Sequence, residues 1–379
     1  MESLRGRSFA SDAREAVVEA TASFAGTSPD LLLAFASTRQ DPSKVHAELR
    51  ERFPKATIAG CTTTGELMDG EHANGSLTVA ALFTPNTRWS VQIISPLSAF
   101  EDGLARSAVE AAARELEIDV TQVDPRELVG ILLSDGLSCK EESVAAAVAE
   151  ALEGVPLVGG SAGDDCAFRC TEVIGPQGSA TDAALLVVGH GPAGFYRIVK
   201  HQHFTRRAVS MAVTKADPKT RRVYEIDGIL AVDAYAKALG LTRENLTQEA
   251  SFLNPVLVNI QGQLYVRSVQ TINDDGSLTF YCAVDEGWLL DIAGHDEMVP
   301  ALEHDLAALA DGKEPPALLL GFNCILRALE AEKRGLHEEV GALVRNFAPA
   351  SVGFDTYGEV LNGLHINQTL VAIGFDRSA

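Results

Sequence analysis

One arrangement recurs three times along the chain and limits what it can fold into. An apolar run is followed by a stretch of helical spacing, a second apolar run, a glycine-marked turn and a closing apolar run. The first copy reads Leu31-Leu32-Leu33-Ala34-Phe35, a polar helical stretch from Pro42 to Phe53, Ala56-Thr57-Ile58-Ala59, then Gly60-Cys61-Thr62-Thr63-Thr64-Gly65-Glu66 and Leu77 to Phe83. The second reads Leu128 to Leu133, a helix capped by Ser138 and Glu141, Val155 to Val158, then Gly159-Gly160-Ser161-Ala162-Gly163-Asp164-Asp165 and Ala183 to Val188. The third reads Leu318 to Phe322, helices from Ile325 to Ala331 and His337 to Val344, Ser351-Val352, then Gly353-Phe354-Asp355-Thr356-Tyr357-Gly358-Glu359 and Gln368 to Ile373. An acid stands six residues after the first glycine each time, at Glu66, Asp165 and Glu359. The pattern reads as an internal duplication, although convergence among α/β units that end strands in glycine gives the same appearance.

Between the second and third copies the character changes. Phe195 to Phe204 and Val209 to Tyr224 read as strands, and Val256 to Ile260, Leu264 to Gln270 and Leu278 to Val284 alternate apolar and polar residues. Asn273-Asp274-Asp275-Gly276 is a hairpin turn. Asp12 and Glu15 have capping-box spacing for an opening helix. The fold class is therefore α/β of the mixed α+β kind, with parallel crossover units beside antiparallel hairpins.

Charge excludes several classes. With 31 Lys and Arg against 52 Asp and Glu, the net charge is −21, which repels phosphate backbones and anionic membrane surfaces. No apolar run approaches the ~20 residues needed to cross a bilayer, and Met1 to Arg7 leads into no signal core, so a cytoplasmic location is expected. The cysteines, Cys61, Cys139, Cys166, Cys170, Cys282 and Cys324, form no Cys-x-x-Cys pair and read as thiols. Cys166 and Cys170 are close enough in sequence for a regulated disulfide. Cys139 and Cys324 fall at expected helix starts, where a thiolate is favoured, so they read either as nucleophiles of a thiol-dependent enzyme or as buried small hydrophobes.

None of the glycine turns is a dinucleotide or Walker loop, so a nucleotide site has little support, and the turns read either as small-ligand loops or as tight turns whose acid bonds its own backbone. His201-Gln202-His203 would point two imidazoles to one face of a strand, a pattern suited to a metal or haem iron. His365, between Leu364 and Ile366, has Ala180 at the comparable place of the second copy and is expected to be peculiar to the third. The remaining histidines, His72 and His337 among them, read as surface residues.

The segments Gly60 to Glu66 and Gly159 to Asp165 resemble the N-terminal half of the FIST sensory domain. Tyr224-Glu225-Ile226-Asp227-Gly228, Tyr265-Val266-Arg267-Ser268, Cys324-Ile325-Leu326-Arg327, Thr356-Tyr357-Gly358-Glu359 and His365-Ile366-Asn367-Gln368-Thr369 resemble its C-terminal half. The resemblance covers nearly the whole chain and implies a FIST N-terminal domain over 1–205 and a C-terminal domain over 206–379. It implies a non-enzymatic sensor of small ligands. The His-Gln-His-Phe and Arg-Ser-Val-Gln stretches are similar to the NosP-type branch, haemoproteins that sense nitric oxide and regulate a histidine kinase or a cyclic-di-GMP enzyme. That likeness implies haem b on His203 or His365, with Arg206, Arg207 or Arg267 pairing with propionates. It leaves room for a homodimer. The alternative is a haem-free module binding an amino acid or similar metabolite through Glu66, Asp165, Arg267 and Glu359, with Tyr357 and Cys324 nearby.

Overall fold

The computed structural model describes residues 1–260, 262–310 and 312–379. Three units of one design make up most of it. Each has an outer strand, a helix, a core strand, a helical crossover, a second core strand, a short hairpin and a closing strand. In the first unit these are Glu2–Ser8, Ala13–Ala20, Leu31–Ala36, Pro42–Arg52, Thr57–Thr62, the hairpin Glu66–Met68 with Glu71–Ala73, and Leu77–Phe83. In the second they are Arg88–Ile94, Asp102–Leu116, Leu128–Ser134, Glu141–Ala151, Leu157–Ser161, Val173–Gly175 with Gly178–Ala180, and Ala184–His190. The third runs Tyr196–His201, Met298–Ala310, Leu318–Cys324, the helices Ile325–Arg334 and His337–Phe347, Ser351–Thr356, Glu359–Leu361 with Leu364–Ile366, and Leu370–Phe375.

The two core strands of each unit are parallel, so a helix must carry the chain between them. All three sheets have six strands in the same order: outer, closing, first core, second core, then a hairpin. The hairpin always comes from a different unit. The first unit's hairpin completes the third unit's sheet, the second's completes the first's, and the third's completes the second's.

Both faces of the core strands are apolar, because each sheet is covered twice. Leu31, Leu33 and Phe35 face a core shared by all three sheets, where Phe354 lies 4.9 Å from Phe35 and 5.8 Å from Phe322 between ring centroids. Leu32, Ala34 and Ala36 face the unit's own helices. The alternation explains why periodicity shows only unbroken apolar runs.

The antiparallel segment expected between the second and third copies is an insertion in the third unit. It spans the strands from Phe204–Asp217 to Leu289–His295 and has a separate core around Tyr235, Phe280 and Ile292. The hairpin turn forms as read, with the Gly276 amide donating to the Asn273 carbonyl at 3.0 Å. Asp12 also caps its helix, accepting from the Glu15 amide.

Two local readings need correction. Ser138 and Glu141 form no capping box: the helix begins at Glu141 without a side-chain cap, because Cys139 takes φ +53° and the Ser138 hydroxyl donates to the Asp135 carbonyl. Gly60, Gly159 and Gly353 sit inside the second core strands rather than in the turns. There a Cβ would lie 1.9–2.0 Å from the carbonyl oxygen of the adjacent core strand, at Ala34, Leu132 and Gly321 respectively. Backbone meets backbone, so no rotamer change relieves the clash. Gly60→Ala or Gly353→Ala is expected to cost about 1–3 kcal/mol of stability. Urea denaturation measures this, and unchanged midpoints would remove the close-approach account.

Candidate functional site

The three glycine-rich turns converge because each hairpin is handed to a neighbouring sheet. The Gly163 amide donates to the Thr62 carbonyl at 3.0 Å, the Asp355 amide to the Gly65 carbonyl at 2.8 Å, and the Ser161 amide to the Gly358 carbonyl at 2.8 Å. Each turn is thereby held by another.

Register identifies equivalent positions in the three units. Ala36, Ser134 and Asn323 pair with Thr62, Ser161 and Asp355 across the core strands. Within the hairpins, His72, Ser179 and His365 are equivalent, as are Glu66, Val173 and Glu359. Asp165 is therefore not the counterpart of the two glutamates, despite its spacing. The second unit's turn is longer, and Asp164 folds it back by accepting from the Phe168, Arg169 and Cys170 amides. Nor is the hairpin histidine peculiar to the third copy. His72 is six residues after Glu66, as His365 is six residues after Glu359, a spacing that could have revealed it.

A chain of polar and charged groups runs where the first unit's hairpin lies on the third unit's sheet. His72 Nε2 is bonded to the buried Asp355 carboxylate. Asn323 Nδ2 donates to the other Asp355 oxygen at 2.7 Å, and Arg327 Nη1 donates to Asn323 Oδ1 at 2.7 Å. Burial pulls the His72 pKa down, but the bond to Asp355 and its charge outweigh this and hold it above the ordinary value. Arg327 is only 2% exposed, and burial lowers its pKa to about 10. Its Nε and Nη2 have no hydrogen-bond partner. Such orphaned donors are rare in folded proteins and call for an explanation.

Arg327 lines a largely apolar cavity of about 70 Å³, together with Leu67, His72, Val340, Val344 and Leu370. A larger, polar cleft of about 330 Å³ adjoins it, lined by Arg39, Asn74, Asp165, Cys166 and Glu332. His72, Ala328 and His337 border both. His72 and His337 stand with ring centroids 5.1 Å apart.

The other expected site residues are dispersed. Glu66 accepts from the Thr63 hydroxyl and from the Ser76 amide and hydroxyl, and Glu359 accepts from the matching atoms of Thr356 and Thr369. Both are fully buried structural groups. Asp165 alone of the three acids borders the cleft, its Oδ2 taken by Ser37 and Thr38. Tyr357 stacks on Phe168 at 4.7 Å and donates to Asp164. Arg267 is buried in the insertion, donating to the Val266 and Ala283 carbonyls. Arg206 pairs with Asp291 and is half exposed, and Arg207 is exposed. Burial pushes the Cys324 thiol well above its ordinary pKa and raises Cys139 too, opposite to the effect expected from a helix start.

The haem expectation can be tested on the two histidines. His203 has no side-chain exposure; its Nε2 is 3.0 Å from Glu330 and its ring lies 4.4 Å from Phe204. His365 is enclosed by Cys282, with Sγ 3.3 Å from Nδ1, and by Ser161, with Oγ 3.4 Å from Nε2. A porphyrin needs one open face at the ligating nitrogen. As placed, neither residue fits that group.

Three interlocked units around converging turns, with an incompletely bonded buried arginine among the residues lining a cavity, make up the candidate site. The chain belongs to the FIST family: residues 30–229 match the FIST N domain and residues 231–362 the FIST C domain. That membership puts it among small-molecule sensory modules rather than enzymes. No curated protein matches it. Among solved structures it is similar to cyanuric acid hydrolase from A. caulinodans, at 9% identity over 99% of both chains and a TM-score of 0.38, a level at which neither fold detail nor activity carries over. No helix among the described residues is long and apolar enough to cross a membrane.

The buried glutamates give a pH signature. Burial outweighs their hydrogen bonds and raises both from an ordinary 4.5 to about 7. Between those values the folded chain holds protons that the unfolded chain has released, so stability falls as pH rises through this window. Glutamine mimics the neutral acid. Glu66→Gln and Glu359→Gln should each stabilise the protein by up to roughly 3 kcal/mol at pH 8 and have little effect at pH 4.5. Denaturant titrations at the two pH values measure the difference; equal effects at both would contradict it.

Proposed function

We propose that this chain is a cytoplasmic sensory module for a small carboxylate-bearing metabolite of the amino-acid kind. The ligand enters between the first unit's hairpin and the third unit's helices. Its carboxylate takes the two unpartnered nitrogens of Arg327, a charge-assisted pairing suited to a guanidinium. The inner cavity is small, so only that end and a short apolar segment lie within it. An ammonium group faces the outer cleft, where Asp165 and Glu332 supply negative charge. His72 and His337 form the neck between the two compartments.

The observation that carries this reading is the fully buried, half-satisfied guanidinium beside an apolar cavity. The equivalent positions in the other units support it. Where the third unit has Asn323 and Asp355, the second has Ser134 and Ser161 and the first has Ala36 and Thr62. The chain of bonds from His72 to Arg327 uses the Asn323 and Asp355 pair of the third unit, whereas the junction at His365 carries a separate chain through Glu142 and Arg221. The haem and nitric oxide reading has less support, because both candidate axial histidines are enclosed and engaged. Occupancy is passed to a partner signalling enzyme, a histidine kinase or a cyclic-di-GMP enzyme, through movement of the helix Ile325–Arg334.

Thermal shift against a panel of amino acids, short carboxylic acids and the matching amines tests the proposal. Stabilisation should require a carboxylate and disappear in Arg327→Met, which fills similar space without charge. The variant also takes the donor from Asn323 Oδ1 and a counter-charge from buried Asp355, so the unliganded protein should melt lower than the parent, and its circular dichroism spectrum checks that it is folded before ligand is added. Ligand shifts that persist in Arg327→Met, or a panel that yields none, would overturn it.

A further inference from the structure

A second cluster lies less than one turn further along the same helix. Glu330, fully buried, reaches His203 Nε2 at 3.0 Å. Together with His295 they place one ligand atom each within 4.8 Å of one another. These residues come from three distant parts of the chain: the entry to the insertion, its last strand and the third unit's crossover helix. The sequence showed only the His201-x-His203 pair, and the other two donors arrive through the fold.

The cluster is under-satisfied for a purely structural network. His203 Nδ1, His295 Nδ1 and Glu330 Oε2 are buried without hydrogen-bond partners, and so is Nε2 of the neighbouring His201, whose ring lies 6.1 Å from that of His203. His201 is anchored through Nδ1 to Asp305 at 2.9 Å. Phe204 packs on both His203 and His295, at 4.4 and 5.2 Å. A buried carboxylate with one idle oxygen, beside imidazoles with idle nitrogens, is costly unless something occupies the space among them.

We infer that His203, His295 and Glu330 form a binding site for a divalent transition-metal ion of the zinc class. Two imidazoles and a carboxylate suit Zn²⁺, Fe²⁺, Co²⁺ or Ni²⁺, whereas Mg²⁺ and Ca²⁺ prefer all-oxygen sites. Three protein donors leave a position for water or an outside ligand. Arg334, 2.9 Å from Glu330 and 40% exposed at its side chain, is the competing cation, and a metal ion displaces it toward solvent. The other three-residue group of this kind among the described residues, Glu142, Cys282 and His365, is already occupied internally. Its glutamate takes the Ala283 amide and Arg221, and its thiol meets His365 and Asn367. The inference uses none of the residues that hold the proposed carboxylate ligand.

The test is metal binding by chelator-stripped protein. Zn²⁺ titration by calorimetry should give one ion per chain, and Co²⁺ should give visible d–d bands from a low-symmetry site. His295→Ala and Glu330→Gln should each weaken Zn²⁺ binding at least about tenfold. His295 is only partly buried, so His295→Ala should keep the parent circular dichroism spectrum and read binding without a folding defect. Cys282→Ser should bind as the parent does. The inference is overturned if the stripped protein takes up no stoichiometric Zn²⁺, if folded His295→Ala binds it unchanged, or if the loss follows Cys282→Ser instead.

Discussion

The exchange of hairpins among the three sheets is the constraint on which the rest depends. Each sheet lacks its last two strands until a neighbour supplies them, so no unit presents a finished sheet alone. The exchange pulls the turn leading into each hairpin against the next unit's second core strand. Backbone hydrogen bonds then close the three turns into a ring. The glycines within those core strands make this possible, because they let parallel strands approach where any side chain would strike a carbonyl. The buried glutamates belong to the same construction: Glu66 and Glu359 tie the start of a hairpin to the start of its own closing strand.

A ring of equivalent turns offers three equivalent junctions, and the chain has specialised them differently. One holds His72, Asp355 and Arg327 in a bonded line through the Asn323 amide. The second sets His365 against Ser161 and adds Cys282 from the insertion. The third retains small residues, Ser179, Thr62 and Ala36. Duplication supplied the geometry, and divergence at a few register positions supplied the chemistry. The junction at His72 borders both the inner cavity and the outer cleft, which the two helices of the third unit's crossover also line.

Much of this was legible in the sequence, and what was not has a physical cause. The triplication, the helical crossovers and the antiparallel insertion follow from periodicity and turn residues, which are local. Hairpin exchange is non-local: Val173 and Glu66 look alike in spacing whichever sheet receives them. Asp165 was aligned with the glutamates by counting forward from a glycine, which fails where one turn carries extra residues. His72 was read as a surface residue because its partner, Asp355, lies 283 positions away. Arg327 stood within a recognised motif, yet a buried arginine cannot be told from an exposed one on a helix until its packing is known. His295 and Glu330 were missed for the same reason, since ligand spacing rules detect donors on one element and not donors gathered from three.

The helix Ile325–Arg334 links the two chemistries. It carries Arg327 toward the turn junction and Glu330 toward the histidines of the insertion, less than one helical turn apart. A rigid helix cannot shift one of these without moving the other. A ligand that draws Arg327 inward alters the distance from Glu330 to His203 and His295, and an ion held by Glu330 restrains Arg327 in turn. Linkage makes such coupling reciprocal: whatever factor the ion contributes to carboxylate affinity, the carboxylate contributes to ion affinity. Neither ligand shifts the helix unless it binds the two helix positions with different affinity.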